Sequence, residues 1–126
     1  MRSFSFAALL LAVLLGLNIF CYNFIRTSVS DIDSSIDKII SYADKKDFKK
    51  AEKEFQQLKS KSEKSKKIWY IIINHQEIDN VDISMRQSEA YLKKEAESDL
   101  IASLNTLKYN VNNVYEREKV NIVNIF

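Results

Sequence analysis

The chain has 126 residues, with 19 Lys+Arg against 17 Asp+Glu, one Cys, one Gly and no Pro. Ordinary usage would supply roughly 15 Gly and Pro residues for the tight turns of sandwiches, barrels and phosphate-binding loops. The composition excludes those architectures and leaves an all-α chain of at most one globular domain. The sole glycine, Gly16, lies in an apolar run near the N-terminus, so neither a Rossmann nor a P-loop fingerprint has a place to form.

From Phe4 to Ile25 no residue carries a formal charge, and Arg2 and Arg26 bound the run. As a helix it extends about 30 Å, the thickness of a bilayer core. A cleaved signal peptide is the competing reading, but it would have a shorter apolar core, and no small-x-small site follows this run. Asn18-Ile19-Phe20 before Cys21 also spoils a lipoprotein box. Residues 1–26 therefore read as an uncleaved anchor that meets the lipid bilayer through residues 4 to 25, and residues 27–126 as a helical bundle domain. The flanking basic residues are nearly balanced. A short N-terminal tail and a domain of about 100 residues favour a single-pass cell-membrane protein with its bundle extracytoplasmic. Cys21, inside the run, has no intramolecular disulfide partner and reads as apolar filler.

Beyond the anchor the charges cancel, but unevenly. Residues 45–67 hold ten Lys against Asp47, Glu52, Glu54 and Glu63, a balance of +6, while 27–44 and 68–126 each carry −3. A basic helix matched to acidic neighbours explains this without nucleic acid; contact with an anionic lipid or polymer is the functional alternative.

Four helices follow from apolar spacings of three and four. Val29, Ile32, Ile36, Ile39 or Ile40, and Ala43 continue the anchor. With Asp47 as N-cap, Phe48, Ala51, Phe55, Leu58, Ser62, Ser65 or Lys66, Trp69 and Ile73 define a second helix of about 26 residues. Its Lys/Ser stretch could instead serve as a linker, but neither Gly nor Pro breaks it. The phase slips before Ile78, where Asn74 suits an N-cap and Glu77 the returning partner of a capping box. Ile78, Val81, Met85, Ser88 and Leu92 make the third stripe. Ser98 is expected to cap the last helix, with Leu100 or Ile101, Leu104, Leu107, Val111, and Val114 or Tyr115 facing inward. Tyr42, Ala51, Phe55, Leu58 and Lys59 recur 49 residues on as Tyr91, Leu100, Leu104, Leu107 and Lys108. Two stacked helical hairpins would bury both stripes, so the expected fold is an N-terminal transmembrane helix followed by an antiparallel four-helix bundle.

No catalytic constellation emerges. His75, Glu77, Asp79 and Asp82 are the densest set of potential ligands, with His75 and Asp79 one turn apart, but a closed zinc site wants four ligands, usually several His or Cys. No metal, cofactor or catalytic residue is expected. The lone His75 has no sequence-marked nucleophile beside it, and Glu95 with Glu97, or Glu116 with Glu118, read as solvated pairs.

Ile73 to Val81, then Tyr91-Leu92, Leu104 to Lys108, and the ending Glu116, Glu118, Lys119, Asn124, Ile125, Phe126 resemble the clostridial single-span helical-bundle proteins of domain of unknown function family 4363. The resemblance implies an anchor, a Trp in the second helix, an H-x-E-I-D segment and association with a partner membrane protein, but no reaction. Asn74 stands where that family would have an acidic residue. If the motif does more than cap a helix, bundle geometry permits His75 and Glu77 to meet Glu116 or Glu118 in a buried network. On either that or the capping reading, His75→Ala is expected to cost roughly 1 to 3 kcal/mol.

The candidate functional or helix-capping motif thus comprises Asn74, His75, Glu77, Asp79, Glu116 and Glu118. The chain is expected to be a non-enzymatic accessory or protein-interaction module for a membrane partner. The alternatives are a sensory or ligand-binding bundle with a pocket around His75, Tyr109 and Asn112, and a metal-binding protein. The sequence leaves the oligomeric state open.

Overall fold

The computed structural model describes residues 1–125, with side chains through Arg117. It contains four helices and, among the described residues, no strand: α1 (Arg2–Asp44), α2 (Phe48–Ile72), α3 (His75–Lys93) and α4 (Glu97–Ile125). Each helix packs against its sequence neighbour, and α4 returns to α1, closing an antiparallel ring of four.

The stripes settle into one core. Ile25, Val29, Ile32, Ile36 and Ile39 from α1 meet Phe55, Leu58 and Trp69 from α2, Ile78, Val81 and Leu92 from α3, and Leu100, Leu104, Leu107, Val111 and Val114 from α4. Where spacing left a choice, the core takes Ile39, Ser65, Leu100 and Val114, while Ile40, Tyr115 and Ile101 pack at its margin. Ser65 occupies the inward position, and Lys66 turns into the α2/α3 seam, where it meets Asp82. Ser35, Ser62, Ser84, Ser88 and Ser103 are also buried, and Ser88 Oγ donates to Ser103 Oγ at 3.0 Å across the α3/α4 seam. Small hydroxyls let the helices approach closely while their own backbone carbonyls accept the spare proton, as Leu100 O does from Ser103.

The 49-residue echo is built into the turns. After α1 the Lys46 N–H donates to Ala43 O and the Asp47 N–H to Tyr42 O; after α3 the Glu95 N–H donates to Leu92 O and the Ala96 N–H to Tyr91 O. Lys46 (φ 59°) and Glu95 (φ 52°) each take the left-handed conformation that closes these turns. Glycine would adopt it without strain, so Lys46→Gly is expected to raise stability by about 0.5 kcal/mol, read as a higher melting midpoint of the full chain in detergent.

Asp47 caps α2 as expected, accepting from Lys50 N, but Ser98 does not cap α4. That helix starts two residues earlier than a Ser98 cap would allow, at Glu97, because the Glu95 turn delivers the chain directly into it; Ala96 O accepts the Leu100 N–H, and Ser98 lies exposed in the first turn.

Between the apolar run and the bundle α1 is unbroken, and Ile25 is already core. Residues 1–20 are exposed throughout, and among the described residues the most apolar stretch of the chain contributes nothing to the core. This helix is long and apolar enough to cross a membrane. Cys21, at the junction, is half-buried and unpaired.

Candidate functional site, the junction between the apolar helix and the bundle

Because α1 carries the apolar run into the bundle, the end of the bundle nearest that run also holds the α2/α3 turn and the portion of α4 around residues 113–117. Polar side chains from all four helices meet there. Asn74 caps α3, its Oδ1 accepting from Gln76 N at 2.9 Å. The Asn74 backbone carbonyl accepts the Glu77 N–H, but the Glu77 carboxylate does not return to Asn74. It is directed inward, with a side chain only 4% exposed, and takes Arg117 Nη1 at 2.8 Å and Asn113 Nδ2 at 3.2 Å. The helical phase dictates this, because Glu77 stands one residue before core Ile78, on the α3 face turned towards α4.

His75 is exposed and sets its ring edge-on to Tyr70, centroids 5.4 Å apart at 90°. Asp79 and Glu116 are also exposed, and Glu118 lies outside the described side chains. The junction thus joins Glu77 to Asn113 and Arg117, and leaves His75, Asp79 and Glu116 at the surface. Since His75 has no buried polar partner to strand, His75→Ala should cost less than about 0.5 kcal/mol, against the 1 to 3 expected from the sequence, and leave the melting midpoint of the full chain nearly unchanged.

Two further contacts, unmarked in the sequence, tie the apolar helix to the bundle. The Tyr22 hydroxyl lies 2.8 Å from that of Tyr115, with ring centroids 5.8 Å apart. The bond to Tyr22 holds the Tyr115 phenol protonated above its ordinary range. The Trp69 indole N–H donates to Ser28 Oγ at 3.1 Å, and that hydroxyl donates to Ile25 O.

Higher up, the basic helix is matched by its neighbours. Lys61 of α2 reaches Asp31 and Ser35 of α1, Lys66 reaches Asp82 of α3 at 2.7 Å, and Lys59 reaches Glu89 at 2.9 Å. On α4, Lys108 bonds Asp37 at 2.6 Å, while Asn112 donates to Asp33 at 2.7 Å. Burial works against the Lys66 ammonium, but the bonds from Asp82 and Glu63 outweigh it and raise its pKa above the usual lysine range. The Lys59 bond holds Glu89 below the usual carboxylate range despite partial burial. A depressed carboxylate adds stability above its unfolded pKa and loses it as the pH falls through the folded value. The stability difference between the native chain and Lys59→Met should therefore be below about 1 kcal/mol near pH 7 and shrink towards zero near pH 3.

These pairs line a cleft of about 280 Å³ between α2 and α3, floored by Ser62 and Met85. The residues expected to line a pocket are dispersed instead: His75 is exposed by the α2/α3 turn, Tyr109 is exposed on α4, and Asn112 is engaged at the α1/α4 seam. Among the described residues no three His, Cys, Asp or Glu side chains converge on a metal position.

Helix order, closed ring and apolar extension define the class: a helical bundle built on the end of a long apolar N-terminal helix. The family model described as Domain of unknown function (DUF4363) matches residues 19–125, and the chain belongs to that family. No curated protein matches the chain, and no solved structure does.

Proposed function

We propose that the chain is a single-pass membrane protein whose bundle stands outside the cytoplasm and serves as a non-enzymatic accessory or interaction module for a membrane partner. One observation carries the reading: α1 runs without a break from an exposed apolar stretch into the bundle core, fixed at the junction by Tyr22 to Tyr115 and Ser28 to Trp69. Monomeric soluble proteins rarely expose contiguous apolar surface on that scale, whereas lipid and a partner's transmembrane helices would cover it. A rigid joint also suits a module that must hold a fixed position relative to a protein in the same bilayer.

The test is crosslinking of the tagged full-length chain in intact cells, followed by mild detergent extraction and mass spectrometry. The expected result is one membrane protein in stoichiometric amount. Recovery of the self-crosslinked chain alone would contradict the accessory role and favour a self-contained sensor, for which the α2/α3 cleft supplies the place to look for a ligand.

A further inference from the structure

The junction has a second face, between α1 and α2. A groove of about 420 Å³ runs there, lined by Phe24, Thr27, Asp31, Lys61, Lys64 and Ile68 among others. Its two ends differ. Phe24 and Ile68 lie at the end nearest the apolar helix, and Ile71, 81% exposed, continues the α2 surface in that direction. At the other end Lys61 is tied to Asp31 at 3.4 Å, which neutralises that carboxylate and leaves Lys64 as the uncompensated charge. Lys64 and Lys67 are exposed on the outward face of α2 and, among the described residues, neither pairs with a carboxylate. The Trp69 bond to Ser28 sets the height of this surface, placing Ile68 and Ile71 beside the last turn of the apolar run.

An apolar surface at the end nearest the apolar helix, with Lys67 beside Ile68 and one helical turn out from Ile71, and Lys64 at the groove about a turn further out, has the amphipathic order of a phospholipid at the interface. On the reading that α1 spans the membrane, we infer that this groove seats one anionic phospholipid, with its acyl chain against Phe24, Ile68 and Ile71 and its phosphate between Lys64 and Lys67. The bound lipid would cover the exposed Ile71 and steady the bundle on the membrane surface. The lysines give the preference for an anionic headgroup; a zwitterionic lipid would bring its own cation to the same place.

The full-length chain is reconstituted in vesicles of phosphatidylcholine with a minor share of phosphatidylglycerol, extracted in mild detergent, and its retained lipid measured by native mass spectrometry. The expected result is one retained phosphatidylglycerol per chain, enriched over its share of the bilayer. Combining Lys64→Glu with Lys67→Glu should cut that enrichment roughly tenfold. Lys49→Glu with Lys53→Glu, on the same helix face but at the far end, should leave it unchanged. Equal retention of the two lipids, equal loss in both double variants, or displacement of the lipid by millimolar inorganic phosphate would each overturn the inference. Flotation of the chain with pure phosphatidylcholine vesicles reports on the anchor separately: a chain that floats without lipid preference defeats this inference alone, and one that fails to float defeats the spanning reading.

Discussion

Replacing Trp69 with Ala should lower the stability of the full chain by about 3 to 5 kcal/mol, the range for deleting a fully buried large aromatic. Trp69 is completely buried, and its ring lies where α1 and α2 enter the core from the junction. The loss has two parts: a cavity that the packed core cannot collapse into without moving, and the indole donor to the Ser28 hydroxyl, which keeps only its bond to Ile25 O. Since total domain stability is usually about 5 to 15 kcal/mol, thermal unfolding followed by circular dichroism in detergent should show a midpoint lower by tens of degrees or a loss of cooperativity. Trp69→Phe retains most of the ring and forfeits the indole bond, so about 1 to 2 kcal/mol should go. Equal effects from the two substitutions would show that the Ser28 bond, and not the packing, holds the seam.

The second large effect concerns Glu77 and Arg117, and its direction follows from their unequal burial. The Glu77 side chain is 4% exposed and that of Arg117 is 64% exposed. Removing the guanidinium leaves a carboxylate in the α3/α4 seam with only Asn113 to stabilise its charge; removing the carboxylate leaves a guanidinium that water can solvate. Arg117→Ala should therefore cost about 3 kcal/mol and Glu77→Gln about 1 kcal/mol, because the amide keeps the shape and can still bond Asn113. Combining Arg117→Ala with Glu77→Gln should recover much of the Arg117→Ala loss. Unfolding measured on the three variants settles the order, and a Glu77→Gln chain less stable than Arg117→Ala would contradict it.

Most of the fold is legible in the sequence because an amphipathic helix declares its inward face locally. The run Ile78, Val81, Met85, Ser88, Leu92 has one phase only, and it is the face the bundle buries. Choices such as Ile39 over Ile40 depend on where the neighbouring helix stands, which local spacing does not contain. The start of α4 is a different case. Ser98 is a good capping residue on its own, but the Glu95 turn, a copy of the Lys46 turn, begins the helix before Ser98 can act.

The junction was the less legible part, since its bonds join residues far apart in the chain. Tyr22 and Tyr115 are 93 positions apart, and nothing in either neighbourhood names the other. Glu77 is more instructive. Read alone, an acidic residue three after Asn74 signals a capping box. Read as half of a hairpin, it lies as far before the Glu95 turn as Asn113 lies after it, so the antiparallel register brings the two together. Folding the sequence back on that turn was the available signal, and it also leads to Arg117, one helical turn beyond Asn113.

The central claim, that α1 both crosses the membrane and continues as the first bundle helix with the bundle outside, is tested most directly by cysteine labelling in intact cells. On a Cys21→Ser background, single cysteines replace Ser3, before the apolar run, and Ser60, on the outward face of α2. A membrane-impermeant maleimide should label Ser60→Cys in intact cells and Ser3→Cys only after lysis, with both variants remaining in the membrane fraction. The reverse pattern, or a shortened chain labelled at Ser60→Cys in the soluble fraction, would contradict it.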